Sequence, residues 1–205
     1  MEGLDRSGKT TQTQKLCEHL QRTNTVKLIK FPDRTTPIGK MIDAYLRSQS
    51  ELDDRAIHLL FSANRWECAG TIEAELRAGN TVICDRYAFS GVAFSASKSS
   101  LSYEWCKAPD ISLPAPDAVV FLDISPEVAQ QRGGYGEERY EKEEMQRTVR
   151  QIFRKIETDT AQANGHIIWA TIDASGTLDE VQQRIQKAVE PLNGGITGEI
   201  QRLWM

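Results

Sequence analysis

Residues 3–10 read GLDRSGKT and match the pattern G-x-x-x-x-G-K-[ST]. The glycines of this pattern let the backbone turn tightly around an anion, so that consecutive N–H groups point at phosphate oxygens. Lys9 is expected to reach the β- and γ-phosphates of a nucleoside triphosphate, and the Thr10 hydroxyl is expected to bind Mg²⁺. The stretch therefore predicts a phosphate-binding loop.

Such a loop normally lies between a strand and a helix. Downstream of Lys9, small or apolar residues recur at helical spacing, at Leu16, Cys17 and Leu20, so a helix is expected there. Its positive N-terminal dipole would add to the anion site. Only two residues precede the loop, and we therefore expect the first strand to be truncated in this chain.

Composition predicts one globular domain spanning residues 1–205, because 40% of the residues are hydrophobic and 26% are charged. The net charge of −4 argues against a general nucleic-acid or membrane-surface binder. Any anionic substrate must then be bound by a local group of arginines and lysines.

The cysteines indicate a reducing compartment. Cys17, Cys68, Cys84 and Cys106 lack the C-x-x-C spacing of a zinc or redox site. The sequence shows neither a secretory signal nor an apolar run long enough to span a bilayer. We therefore expect buried thiols and a cytoplasmic location, with a nuclear one as the alternative.

Short apolar runs alternate with helical segments along the chain. Strands are predicted at residues 26–31, 81–85, 118–122 and 166–172. Helices are predicted at 36–47, 53–78, from 125, at 143–163 and at 177–189. Apolar strands separated by helices predict a parallel sheet with helices on both faces, a three-layer α/β/α fold. Such sheets bind ligands at the carboxyl ends of their strands.

Arg34 and Arg86 follow two of these strands, and Arg65 lies in the long helix. Taken singly, each is more often a solvated surface charge. Near a phosphate loop in an acidic protein, they instead indicate anion recognition. Asp85 directly follows a strand and is predicted to bind Mg²⁺ through water, with a simple strand-end ion pair as the alternative.

Phe61 and Arg65 lie four residues apart, on one face of the long helix. A phenylalanine there can stack on a nucleobase while the arginine reaches the base edge. The alternative is that Phe61 and Trp66 belong to the hydrophobic core. A glycine-rich segment at 133–136 predicts a lid over about 132–141, with an ordinary surface loop as the alternative.

Together these blocks resemble the thymidylate kinases, which transfer the γ-phosphoryl group of ATP to thymidine monophosphate (dTMP). The resemblance covers nearly the whole chain and is closest to the eukaryotic branch. It lies in the loop and in four later blocks, FPDR at 31–34, FSANRW at 61–66, DRYAFSGVAF at 85–94 and GEERYE at 136–141. Asp33 replaces the glutamate that is usual in the first of these four blocks, and we expect little effect from the change.

The resemblance implies a P-loop kinase fold, a homodimer formed through helices such as 53–78, and a role for each matching residue. The dTMP-binding residues would be Asp5, Phe31, Arg34, Phe61, Arg65, Arg86, Ser90, Phe94, Tyr140 and Gln146. ATP would contact Arg6, Ser7, Gly8, Lys9, Thr10, Thr11, Arg132, Ala174 and Ser175. The catalytic residues would be Lys9, Arg6, Asp85 and Arg86, with Mg²⁺ held at Thr10 and Asp85.

Two other functions remain open at this point. One is a different nucleotide or nucleoside kinase on the same fold. The other is a non-catalytic nucleotide-binding protein, which the shortened first strand would allow. A GTPase switch is disfavoured, because no N-K-x-D guanine-binding motif is present.

Overall fold

Parallel strands form the centre of the computed structural model, which describes residues 1–130, 139–195 and 198–205. The strands in these ranges are β1 (Glu2–Gly3), β2 (Val26–Lys30), β3 (Thr81–Asp85), β4 (Ala118–Asp123) and β5 (Ile168–Asp173). They form two ladders, β2-β3 and β1-β4-β5, and all pairs are parallel.

The first strand is only two residues long, but it joins the two ladders. β1 pairs with Phe121 and Leu122 of β4. On its other side, the Met1 nitrogen donates to the Cys84 carbonyl (2.8 Å), and the Met1 carbonyl accepts from the Arg86 amide (2.9 Å). β1 therefore lies between β3 and β4, at the centre of the sheet.

Helices cover both faces of this sheet. α1 and α8 lie on one face, while α3, α4 and α7 lie on the other, with α2 packed against α3. The predicted three-layer α/β/α fold is therefore confirmed. The α-helices of the described residues are α1 (Lys9–Leu20), α2 (Pro37–Leu46), α3 (Asp54–Arg77), α4 (Ala88–Ala96), α5 (Tyr103–Lys107), α6 (Pro126–Gln130), α7 (Glu143–Ala163) and α8 (Leu178–Val189).

Side-chain caps fix the starts of several helices. The Thr36 hydroxyl accepts from the Gly39 amide (3.0 Å) at the start of α2, where Pro37 occupies the first helical position. At the start of α8, Thr177 and Glu180 form a reciprocal capping box. These helices begin where the sequence predicted, because the capping signals are local.

The core is built around β4, where four consecutive residues from Val119 to Leu122 are buried. Phe121 packs against Phe153 of α7, with ring centroids 4.6 Å apart. β2 differs from the expectation of strands apolar on both faces, because its Lys27 and Lys30 are exposed. Among the described residues β2 pairs on one side only, and charged residues protect such an edge from unwanted pairing.

The helix α4 was not predicted from the sequence. Residues 88–95 of this helix are all buried, so the sequence there reads as a continuous apolar run rather than an amphipathic one. α4 nevertheless matters for function, because its N-terminus lies at the carboxyl ends of β1 and β3.

The four cysteines are free, as expected. Cys17 and Cys106 are buried, whereas Cys68 and Cys84 are only partly buried. Among the helices of the described ranges, none is both long and apolar enough to cross a membrane.

A buried histidine ties α3 to α4 and α5. His58 is fully buried, with its Nδ1 2.7 Å from the Ser95 hydroxyl and its Nε2 3.0 Å from the Cys106 carbonyl. Because a carbonyl only accepts, Nε2 must donate, and a neutral ring accepts from Ser95 at Nδ1. Burial, aided by the positive charge of Arg65, lowers the pKa of His58 to about 4.

We expect His58 to make the fold acid-sensitive. In the unfolded chain its pKa lies near 6.5, so its contribution is fully present above about pH 6.5 and is lost as the pH falls toward 4. The loss over this range is about 3 kcal/mol. Urea unfolding of His58→Gln should show lower stability at pH 7 and a smaller decrease down to pH 4. The same change at exposed His166 is the control, and equal acid losses in wild type and H58Q would contradict the account.

Candidate active site

A cavity of about 390 Å³ opens at the carboxyl ends of β1, β2 and β3. This is the edge of the sheet where the sequence predicted ligand binding. Of the predicted site residues, fifteen line it: Asp5, Arg6, Gly8, Lys9, Thr10, Thr11, Phe31, Arg34, Phe61, Arg65, Asp85, Arg86, Ser90, Phe94 and Tyr140.

The loop at 3–10 needs its glycines. Gly8 caps α1 in the left-handed conformation (φ +92°). At Gly3, a β-carbon would lie 2.7 Å from the Leu122 carbonyl oxygen and 2.9 Å from the Ser7 hydroxyl. A side chain at either position would therefore strain the loop. Arg6 also adopts a left-handed conformation, with φ +60°.

Lys9 is buried beneath the loop. Its Nζ donates to the Leu4 carbonyl and lies 3.4 Å from the Ser7 hydroxyl. Burial, followed by the positive charge of Arg86, lowers the pKa of Lys9 to about 7. A phosphate beside Nζ would favour the charged form and raise this pKa again.

Thr10 and Asp85 meet at the base of the cavity, where the Thr10 hydroxyl donates to Asp85 Oδ2 (2.8 Å). Lys30 Nζ lies 3.9 Å from the same carboxylate oxygen. A hydroxyl and a carboxylate suit Mg²⁺, which binds one or two such groups together with substrate phosphates and water. The donor set at this position therefore fits the predicted cation.

Asp5 of the loop forms an ion pair with Arg86 at the end of β3. Gln146 of α7 holds Asp5 in place, because its Nε2 donates to Asp5 Oδ2 (2.8 Å) and its Oε1 accepts from the Asp5 amide (3.0 Å). Gln146 is buried behind Asp5 rather than lining the cavity. The loop is thereby connected to the strand end that carries Arg86.

Glu2 fixes the turn that presents Arg86. Its buried carboxylate accepts hydrogen bonds from the Tyr87 amide (2.8 Å), the Ser90 amide (3.2 Å) and the Ser90 hydroxyl. The Ser90 hydroxyl in turn accepts from Arg86 Nη1 (3.2 Å). Burial raises the pKa of the Glu2 carboxyl. An acidic side chain of β1 therefore caps the N-terminus of α4 and holds Arg86 and Ser90 in register.

The other arginines of the cavity also have carboxylate partners. Arg6 Nε lies 2.9 Å from Glu141, and Arg34 Nη1 lies 2.6 Å from Asp43. These partners hold the guanidinium groups near the cavity wall and offset their mutual repulsion.

Aromatic rings also line the cavity. Tyr140 stacks on Phe94, with centroids 5.8 Å apart, and the Arg86 guanidinium lies 5.1 Å from the centre of the Phe94 ring. Phe61 and Arg65 of α3 line the cavity too. Phe61 is partly buried, packs against the core and also lines the cavity, so its stacking on a base stays a prediction.

Several predicted residues lie outside the cavity. Ala174 is buried after β5, and Ser175 hydrogen-bonds to Asp173. Ser7 is a buried residue of the loop itself. Arg132, and the lid from 132 to 138, lie outside the described residues.

The chain belongs to the thymidylate kinase family. The family model described as Thymidylate kinase matches residues 1–185. A thymidylate kinase of Arabidopsis thaliana is 51% identical over 92% of this chain and 69% of its own length. One of Schizosaccharomyces pombe is 50% identical over 94% and 91% of the two chains.

A solved thymidylate kinase structure from Candida albicans superimposes with a TM-score of 0.88 at 39% identity, over 98% of this chain and 95% of that one. The predicted family and P-loop fold are thus confirmed. The thymidylate kinases phosphorylate dTMP with ATP, and the predicted activity, a phosphotransferase acting on dTMP, is confirmed with the family.

The cavity is also lined by residues to which the sequence gave no predicted role. They include Lys30, Tyr87, Ser95 and Glu141. Glu141 ends the GEERYE block, so a signal existed, but its role as partner of Arg6 depends on a contact across 135 residues. Asp33, which stands where the resemblance led us to expect glutamate, makes only local side-chain contacts among the described residues. The Asp33 carboxylate bonds to Thr35 in its own turn.

Proposed function

We propose that the cavity binds ATP at the 3–10 loop and dTMP between α3 and α4, and that it transfers the γ-phosphoryl group directly between them. The observation that carries this proposal is the Asp5–Arg86 ion pair. It joins the donor loop to an acceptor-phosphate arginine at the adjoining strand ends. Residues 1–205 would act as one kinase domain.

The acceptor phosphate is already a nucleophile, so the enzyme needs no general base. Its task is to align two anions and offset their charge. Lys9, Arg6 and the loop amides would stabilise negative charge on the group in transfer. Arg34 and Arg86 would hold the acceptor phosphate despite its repulsion from ATP. Thr10 and Asp85 would hold Mg²⁺, which when bound offsets further phosphate charge.

The thymine ring would stack on Phe61, with its edge hydrogen-bonded by Arg65. Asp5 would accept from the sugar 3′-hydroxyl. Phe94 would fill the space beside C2′ and disfavour a ribose 2′-hydroxyl. Tyr140, which stacks on Phe94, would close over the nucleoside.

Arg139, which lies near the end of the segment proposed as the lid, is held against the end of α2. Arg139 donates to the Tyr45 carbonyl (3.0 Å) and forms an ion pair with Glu51 (2.7 Å). These contacts tie the chain entering Tyr140 and Glu141 to the end of α2. A closed lid would exclude water and limit wasteful ATP hydrolysis.

The exposed apolar side chains and the cysteines support proposals for the assembly and the location. We propose a homodimer that covers the apolar side chains exposed on α2 and α3, namely Met41, Leu59 and Trp66. A cytoplasmic or nuclear location fits the four free thiols.

Initial rates with ATP and a panel of acceptors test the proposed substrate. We expect dTMP to be preferred over guanosine and adenosine monophosphates and over free nucleosides. Lys9→Ala should lower turnover on the order of 10² or more, because a buried cation at the transferred phosphate is lost. Preference for a purine acceptor, or near-normal turnover of K9A, would contradict the proposal.

Arg6 and Arg34 should separate catalysis from acceptor binding. Arg6→Ala should lower kcat roughly 10²-fold with little change in the KM for dTMP, because Arg6 acts on the transferred group. Arg34→Ala, the matched control, should mainly raise the KM for dTMP. Steady-state kinetics at saturating ATP measures both, and a dominant KM effect in R6A would show that the division is wrong.

A further inference from the structure

Arg65 is held by a buried carboxylate that has no part in the roles described so far. Its Nε donates to Asp110 Oδ1 (3.1 Å), and its Nη2 donates to Asp110 Oδ2 (2.5 Å). The side chains are 3% and 0% exposed, so this two-point ion pair is shielded from solvent. Such a fork fixes both the position and the plane of the guanidinium.

Asp110 is itself held rigidly. Ser62 of α3 donates to Asp110 Oδ1 (2.7 Å), and the preceding Pro109 carbonyl accepts from Trp66 Nε1 (2.7 Å). His58 bonds to the Cys106 carbonyl four residues earlier. One face of α3 therefore clamps the short segment that carries Asp110.

A glycine closes the other side of the guanidinium. A β-carbon built on Gly91 of α4 would lie 2.6 Å from Arg65 Nη2, 2.9 Å from Nη1 and 3.0 Å from Cζ. The end of an arginine usually moves away from such a clash, but the fork to Asp110 leaves Arg65 little freedom to do so. Only glycine fits at residue 91 with Arg65 in this position.

The third guanidinium nitrogen of Arg65, Nη1, takes no part in the ion pair with Asp110. Within the ranges that the structure describes, no acceptor hydrogen-bonds to Arg65 Nη1, and Arg65 lines the cavity beside Phe61 and Gly91. A guanidinium N–H donates and never accepts. The ion pair with Asp110 also neutralises the arginine charge where an uncharged base would bind.

We propose that Asp110 and Gly91 are positioning residues for base selection, an inference that rests on the proposed binding of thymine by Phe61 and Arg65. They fix the free N–H edge of Arg65 so that it meets a carbonyl oxygen on the base. A base with an amino group at that position, such as cytosine, would set donor against donor. The acceptor specificity therefore depends on Asp110, which does not line the cavity, and on Gly91 as well as on Arg65.

The test compares Gly91→Ala with Gly70→Ala. Gly70 lies in α3, and no atom would come within 4 Å of an added β-carbon there, so G70A is a matched control. Both changes improve helix propensity, so both proteins should fold. The readout is kcat/KM for dTMP and for deoxycytidine monophosphate, together with the KM for ATP.

We expect G91A to raise the KM for dTMP about tenfold or more and to lower the dTMP-to-dCMP ratio of kcat/KM by a similar factor. The KM for ATP should stay unchanged, and G70A should behave as wild type. A purely structural role would instead lower kcat for both acceptors equally and leave the ratio unchanged. An unchanged ratio in G91A would overturn the inference.

Asp110→Asn gives a second, independent change. It keeps the shape of the side chain but removes its charge, and it should shift the ratio in the same direction as G91A. In an Arg65→Gln background, D110N should cause no further loss of selectivity, because it acts only through Arg65. An additional loss there would contradict the positioning role. A wild-type enzyme that fails to phosphorylate dTMP would overturn the proposed function as well.

Discussion

The ion pair between Asp5 and Arg86 is the contact on which the active-site geometry depends. Asp5 belongs to the loop that leaves β1, and Arg86 follows β3. The two groups meet because the two-residue strand β1 lies between β3 and β4 and brings the loop beside the end of β3. Phosphoryl transfer requires donor and acceptor to be aligned within a fraction of an ångström. In the proposed function the ion pair would provide this alignment, because Asp5 lies in the loop that would bind ATP and Arg86 would hold the acceptor phosphate.

The need to hold side chains in fixed positions also explains why polar groups are buried around the cavity. Glu2, Gln146 and Asp110 are all nearly inaccessible to solvent, and each holds another residue rather than lining the wall. Burying such groups is costly unless they are hydrogen-bonded, and each of them is. Arg6 and Arg86 additionally adopt left-handed backbone conformations, at φ +60° and +67°. Strain of this kind persists where the surroundings determine the backbone fully.

Much of the fold was predictable because its signals are local. The phosphate loop is recognised within eight consecutive residues, and the cap at Thr36 and the box at Thr177 depend on a neighbour three residues away. α4 was missed because a fully buried helix has no amphipathic pattern. The family resemblance predicted most of the residues that line the cavity. It did not predict Asp110, which holds Arg65 and does not line the cavity. Its partner Arg65 is 45 residues away, and no sequence periodicity reports such a contact.

A double-mutant cycle on Asp5 and Arg86 tests most directly whether loop and acceptor site form one unit. The measurement is kcat/KM for dTMP at saturating ATP in D5N, R86K and the double variant. The account predicts strong coupling, so that the double variant loses at least about tenfold less than the product of the single losses. A loss of kcat/KM in the double variant that equals the product of the two single losses, to within about twofold, would contradict it.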